Sequence, residues 1–334
     1  MNQAYIKKDH VRIKKEKAVD LAKIDAIIFD IDGVLVNVDL SYYQTIQKTV
    51  QFFLARFIPQ TETIEMIDQD HIKAFKSKGG FNDDFELAAA ALLYYIWKMK
   101  EFGPCSMETL KKKEPLIPDF LRENIKEGKG IKDMVRWIKC NASCPEAIFS
   151  LWKKDQIIQI AREFYSGEKY CFPFYQIHPH IIGRKKGFME SERILIQPEL
   201  KGQIKQYKTG IITGRNHAEA DFILKKMKWD SLIPPANRIT AEYPYSKPSP
   251  KGLNDLMNQL KAEIGLYIGD SMDDLLMVNR YRKENPSKLC FSALIMEGYL
   301  SDQKSYLNEY LEQQVDIIAE NVNQVIALIL HFSS

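Results

Sequence analysis

The sequence predicts an α/β protein, a doubly wound parallel sheet interrupted by a large, mainly helical insertion. Three observations lead there. Short, nearly continuous apolar runs such as Ile27-Ile28-Phe29 alternate with helical stretches, the pattern of strands buried on both faces. Polar residues gather where those runs stop, at Asp30, Thr213 and Asp270. Between about residues 40 and 190 the alternation lapses and helical spacing takes over.

The composition suits this reading. At 334 residues and 45% hydrophobic, the chain can bury a sizeable core and is long enough for roughly two domains. With 47 basic against 44 acidic residues, the net charge of +3 is too small to advertise a nucleic-acid partner or a membrane surface. The five cysteines (Cys105, Cys140, Cys144, Cys171 and Cys290) form no CxxC pair and read as reduced thiols. Cys140 and Cys144 with His178 and His180 have poor zinc spacing. The amino terminus lacks the apolar run of a signal peptide, and 322–332 is shorter than the ~20 residues a bilayer needs. The expected location is cytoplasmic.

Taken in order, residues 1–23 read as a lysine-rich extension and 24–29 as a buried strand ending in Asp30-Ile31-Asp32-Gly33-Val34-Leu35. Helical spacing marks 40–57 and 85–102, with further helices near 131–139 and 155–165. Residues 76–84 (KSKGGFNDD) have the composition of a loop, and Asp83 or Asp84 is placed to cap the next helix. Residues 169–187 read as irregular, with prolines and aromatics. Strands are expected at 210–212, 237–241, 264–268, 289–295 and 315–318, with helices at 216–227, 250–261 and 272–281.

The chemistry-bearing residues sit at strand ends. Asp30 and Asp32, two apart, share a face in an extended segment, and Gly33 allows a sharp turn after them. Two adjacent carboxylates repel, a divalent cation relieves the repulsion, and one can act as nucleophile while the other carries a proton. Gly269-Asp270-Ser271-Met272-Asp273-Asp274 adds oxygen ligands of the kind magnesium takes, with Asp274 one helical turn beyond Asp270. Thr213 and Gly214, before a helix, suit a phosphate oxygen, and Lys247 adds an ammonium. Taken singly, each also has a plain reading as a cap, a turn or a solvated lysine.

As an ordered set, Asp30-Ile31-Asp32-Gly33-Val34-Leu35, Ile211-Ile212-Thr213-Gly214, Lys247-Pro248-Ser249-Pro250 and Gly269-Asp270-Ser271-Met272-Asp273-Asp274 resemble the phosphatases of the haloacid dehalogenase-like hydrolase superfamily. The resemblance covers 24–39 and 192–334. It implies a Rossmann-like catalytic core, with residues 40–191 as a helical cap inserted between the first and second motifs. It further implies that Asp30 is the nucleophile, Asp32 the general acid and base, and Thr213 and Lys247 the phosphate holders. Magnesium would contact the Asp30 side chain, the Asp32 carbonyl and Asp270, with Asp274 in support. The implied partner is a small phosphorylated substrate, met by a monomer or homodimer. Gly214, Arg215, Lys78 and Asn82 are the expected substrate contacts, with Arg215 alternatively pairing with a cap carboxylate. A phosphomutase of the same fold, and a non-catalytic phospholigand-binding scaffold, are the competing readings.

Overall fold

The computed structural model describes residues 5–8, 11–58, 64–81, 83–126, 128–296 and 311–333. The chain forms two compact units, one of 1–39 with 193–334 and one of 40–192.

The first unit is built on an eight-stranded sheet. Its strands are β1 (Tyr5–Lys8), β2 (Val11–Lys14), β3 (Ala26–Phe29), β6 (Lys208–Ile212), β7 (Arg238–Ile239), β8 (Ile264–Gly269), β9 (Leu289–Ile295) and β10 (Ile317–Ala319). They lie in the order β1-β2-β10-β9-β8-β3-β6-β7. From β10 to β7 every pairing is parallel. Central β3 shows why its sequence is apolar throughout. Ile27 and Phe29 pack into one face with Trp229, Ile223 and Val325, while Ala26 and Ile28 pack into the other with Leu253, Met257 and Val278. A strand buried on both faces has no polar side to show.

The expected lysine-rich extension does more than trail from the core. Its residues form the β1–β2 hairpin, and β2 pairs antiparallel with β10, Ile13 opposite Ile317. The signal is a two-residue alternation in Val11-Arg12-Ile13-Lys14, with Val11 and Ile13 buried. The many lysines around it hide the pattern. A second small pair, β4 (Val36–Asn37) and β5 (Arg193–Ile194), ties the point where the chain leaves this unit to the point where it returns.

The second unit is helical: α1 (Asp39–Leu54), α2 (Gln69–Ser77), α3 (Asp84–Phe102), α4 (Met107–Lys112), α5 (Ile117–Asn124), α6 (Gly130–Asn141), α7 (Pro145–Leu151) and α8 (Lys154–Tyr175). Helix α3 is its axis, buried without interruption from Leu87 to Lys98. Such all-round burial fits a helix whose sequence is apolar on every side. Asp83 is its cap, accepting the Phe85 and Glu86 amides at 2.8 and 3.0 Å.

Residues 169–175, read as irregular, are helical, and α8 carries Pro173 inside it. The break falls earlier, at Gly167, with φ 64° and ψ −179°. A Cβ there would lie 2.4 Å from the Gly187 amide nitrogen, so two backbones cross where neither residue has a side chain. Among the described residues, no helix is long and apolar enough to cross a membrane.

Candidate active site

The register of three neighbouring strands assembles the site. Phe29 pairs with Ile211 of β6 on one side and with Ile268 of β8 on the other. Asp30, one residue on, and Thr213 and Asp270, each two residues on, therefore emerge together at the carboxyl ends of adjacent strands, the edge where open α/β sheets bind ligands. Asp30 is fixed there by its own amide, which donates to the Ile268 carbonyl at 2.8 Å.

After Asp30 the chain doubles back within six residues. The amides of Leu35 and Val36 donate to the Ile31 carbonyl at 2.8 and 2.9 Å, and the Gly33 amide donates to Val36 at 2.9 Å. Gly33 has φ +70°, and a Cβ on it would stand 2.0 Å from Asp270 Oδ2. Glycine is required twice over, by its backbone conformation and by the approach of Asp270.

Lys247 bridges the acids. Its Nζ donates to Asp30 Oδ2 at 2.6 Å and lies 2.8 Å from Asp274 Oδ1. Asp274, on the first turn of helix Met272–Glu284, is held from several sides. Its Oδ1 also accepts the Tyr267 hydroxyl at 2.7 Å, and its Oδ2 accepts the Ser271 hydroxyl at 2.6 Å and the Ser271 amide at 3.1 Å. Asp30, Asp270 and Asp274 each offer a carboxylate oxygen within 4.8 Å of the others.

The electrostatics follow from burial and like charge. Burial and the neighbouring Asp274 and Asp32 charges outweigh Lys247 and push the Asp30 carboxyl up to about 7. Burial and the Asp30 and Asp274 charges hold Asp270 well above the usual carboxylate range. Burial opposes the charge of Asp274 too, but Lys247, Ser271 and Tyr267 outweigh it and hold this carboxyl low. Burial likewise opposes the Lys247 ammonium, and the Asp274 and Asp30 charges reverse that and hold it well above an ordinary lysine. One ammonium is thus too little positive charge to keep all three acids ionised.

Asp32, anticipated at the metal through its carbonyl, turns its side chain to Arg215, whose Nε and Nη2 meet Asp32 Oδ1 at 2.8 and 2.7 Å. Arg215, only 2% exposed, thus pairs with an acid of its own unit. A guanidinium buried that deeply needs a charge partner. Thr213 Oγ1 accepts the Arg215 amide at 3.2 Å. A Cβ on Gly214 would meet nothing within 4 Å, so this glycine borders open space. Lys78 extends to the Arg122 carbonyl at 3.4 Å within the helical unit, and its loop is pinned there by the Gly128 amide on the Lys78 carbonyl at 2.9 Å. Asn82 lies outside the described residues.

Residue-by-residue reading missed Tyr267 and Ser271. The signal for Tyr267 was present, a polar-tipped ring within the apolar run Leu266-Tyr267-Ile268. A buried tyrosine hydroxyl needs a partner. Of Cys140, Cys144, His178 and His180, none belongs to a close metal-ligating group among the described residues. The His178 ring instead stacks on Phe172 with centroids 4.4 Å apart.

Residues 197–280 match the haloacid dehalogenase-like hydrolase family. No curated protein matches the chain. Phosphatase Tt82 from Thermococcus thioreducens is 24% identical, with a TM-score of 0.57, over 86% of this chain and 99% of that one. A protein described as a predicted phosphoglycolate phosphatase from Haemophilus somnus is 14% identical, with a TM-score of 0.52, over 92% of this chain and 98% of that one. At these identities the likeness is one of fold. The matched segment contains Thr213, Lys247, Asp270 and Asp274.

Proposed function

We propose that this haloacid dehalogenase-like hydrolase is a magnesium-dependent phosphomonoesterase that acts through an aspartyl-phosphate on a small phosphorylated metabolite. The observation that carries the reading is the Lys247 ammonium between Asp30 and Asp274, beside Asp270, at adjoining strand ends. That grouping offers a carboxylate nucleophile and a fixed cation within one small volume.

Asp30 attacks phosphorus in line with the departing alcohol. Asp32 protonates that alcohol and then takes a proton from the water that opens the acyl phosphate. Lys247, the Thr213 hydroxyl and the backbone amides beyond Thr213 hold the phosphoryl oxygens as charge shifts on them. Such preorganised stabilisation dominates phosphoryl transfer.

The acids fit a magnesium ion, because burial and mutual repulsion disfavour the charged forms of Asp30 and Asp270, which a cation beside them would restore, and oxygen donors are what the ion takes. Asp30, Asp270 and the Asp32 carbonyl would hold it. Asp274, whose oxygens already accept Lys247, Tyr267 and Ser271, supports them. Bound there, the ion would neutralise charge on the transferring group. The inserted helical unit, 40–192, would supply selectivity for the alcohol, since the core residues address only the phosphate. The five free thiols suit a cytoplasmic protein.

The test is release of phosphate from p-nitrophenyl phosphate, with and without magnesium, by wild type and Asp30→Asn. Wild type should turn over only with the metal, and Asp30→Asn should lose at least ~10³-fold. An Asp30→Asn protein as fast as wild type would refute the assignment of the nucleophile.

A further inference from the structure

Asp32 is an unusual partner for a buried arginine. Its side chain is 29% exposed, and only one of its two oxygens is engaged. Both Nε and Nη2 of Arg215 point at Oδ1, while Oδ2 accepts no hydrogen bond among the described residues. Arg215 itself cannot shift easily. Its amide donates to Thr213 Oγ1 at 3.2 Å, its carbonyl accepts the Ala241 amide at 2.9 Å, and its side chain is 1% exposed. A fixed guanidinium therefore grips a half-exposed carboxylate by one end.

We infer that Arg215 is a positioning residue for proton transfer: it locks the rotation of the Asp32 carboxyl group so that Oδ2 alone faces the leaving oxygen. The inference rests on the phosphatase reading. The Cβ–Cγ torsion of an aspartate is broad and roughly two-fold, so an ungripped Asp32 samples orientations in which neither oxygen is aligned. Two charge-assisted donors on one oxygen remove that freedom and keep the proton on the other. As the ester P–O bond breaks, its electron pair passes to the leaving oxygen. That oxygen takes the proton from Oδ2 while an Asp30 oxygen forms the new bond to phosphorus. A misaligned acid slows this step in proportion to how badly the leaving oxygen needs the proton.

Leaving-group dependence separates this role from a structural one. p-Nitrophenolate departs well without protonation, whereas a simple alkoxide does not. For wild type, Arg215→Lys and Arg215→Ala, kcat/KM is measured on p-nitrophenyl phosphate and on ethyl phosphate, and each variant is reported as the ratio of its two values. The ratio cancels the fraction of folded enzyme, so partial unfolding of Arg215→Ala does not obscure it. Arg215→Ala should lose at least tenfold more on ethyl phosphate than on p-nitrophenyl phosphate, with Arg215→Lys between it and wild type. Equal losses on the two esters, from an active wild type, would overturn the role of Arg215 alone. A wild type that hydrolyses neither ester, with or without magnesium, would overturn the functional reading and this inference together.

Discussion

Both units of the molecule bury charge, and they do it in opposite ways. In the helical unit two buried ions, Glu163 and Lys98, meet neutral backbone. Glu163 accepts the amides of His180, Ile181 and Ile182 at 3.2, 2.9 and 2.8 Å, and the Lys98 ammonium donates to the Lys113 carbonyl. In the sheet unit the acids at the strand ends meet one another, with Asp30, Asp270 and Asp274 crowded around a single ammonium. The first arrangement pins a loop and is complete. The second is deficient in positive charge. Burial of an ionisable group is therefore a poor guide to chemistry, and what distinguishes a reactive cluster is that its partners are charged and too few.

The sharpest break of this contrast is at Asp270. Asp270→Asn should cost about 10²–10³-fold in turnover, the scale of losing one charge-stabilising group. In metal-free buffer the same variant should be about 1 kcal/mol more stable, because it removes repulsion. Urea unfolding beside a phosphate-release assay reads both, and a destabilised Asp270→Asn would mean that the cluster is already balanced.

Glu163→Ala should do the reverse. Three amides lose their acceptor, at a cost of about 3 kcal/mol, and Glu163→Gln, which keeps an acceptor, should recover part of it. Unchanged urea midpoints for both would show that the loop at 180–182 needs no pin.

The smallest effect concerns Lys98, whose ammonium burial, aided by Lys113, holds down to about 8 against an ordinary 10.5. The unfolded chain then binds more protons than the folded one between those values, so the lysine destabilises the fold below pH 8 and less so as pH rises. The stability of wild type minus that of Lys98→Met should increase from pH 8 to pH 10. A flat difference would place Lys98 in water.

How much of this was legible depended on whether partners were close in sequence or brought together by folding. Strand β3 was plain from its unbroken apolar run, and Asp83 as a cap from its position before α3. The convergence of Asp30, Thr213 and Asp270 followed from a parallel sheet, since like ends of parallel strands lie together. The Arg215–Asp32 pair spans 183 positions and obeys no local pattern, so only the folded chain reveals it. Lys78 is similar, since its hydrogen bond goes to a backbone carbonyl 44 residues away that no local pattern indicates. The β1–β2 hairpin was obscured because two buried residues in a lysine-rich stretch are too few to stand out.

That hairpin has a consequence for how the protein is made. Ile13 leaves the ribosome some three hundred residues before Ile317, opposite which it pairs. The β1–β2 hairpin must wait with the outer edge of β2 exposed while some three hundred residues are translated, including the entire helical unit that can mature meanwhile on its own local contacts. Lysine and arginine in Tyr5-Ile6-Lys7-Lys8 and Val11-Arg12-Ile13-Lys14 then act as chaperones written into the chain, keeping a nascent strand from pairing with a stranger before its proper neighbour arrives.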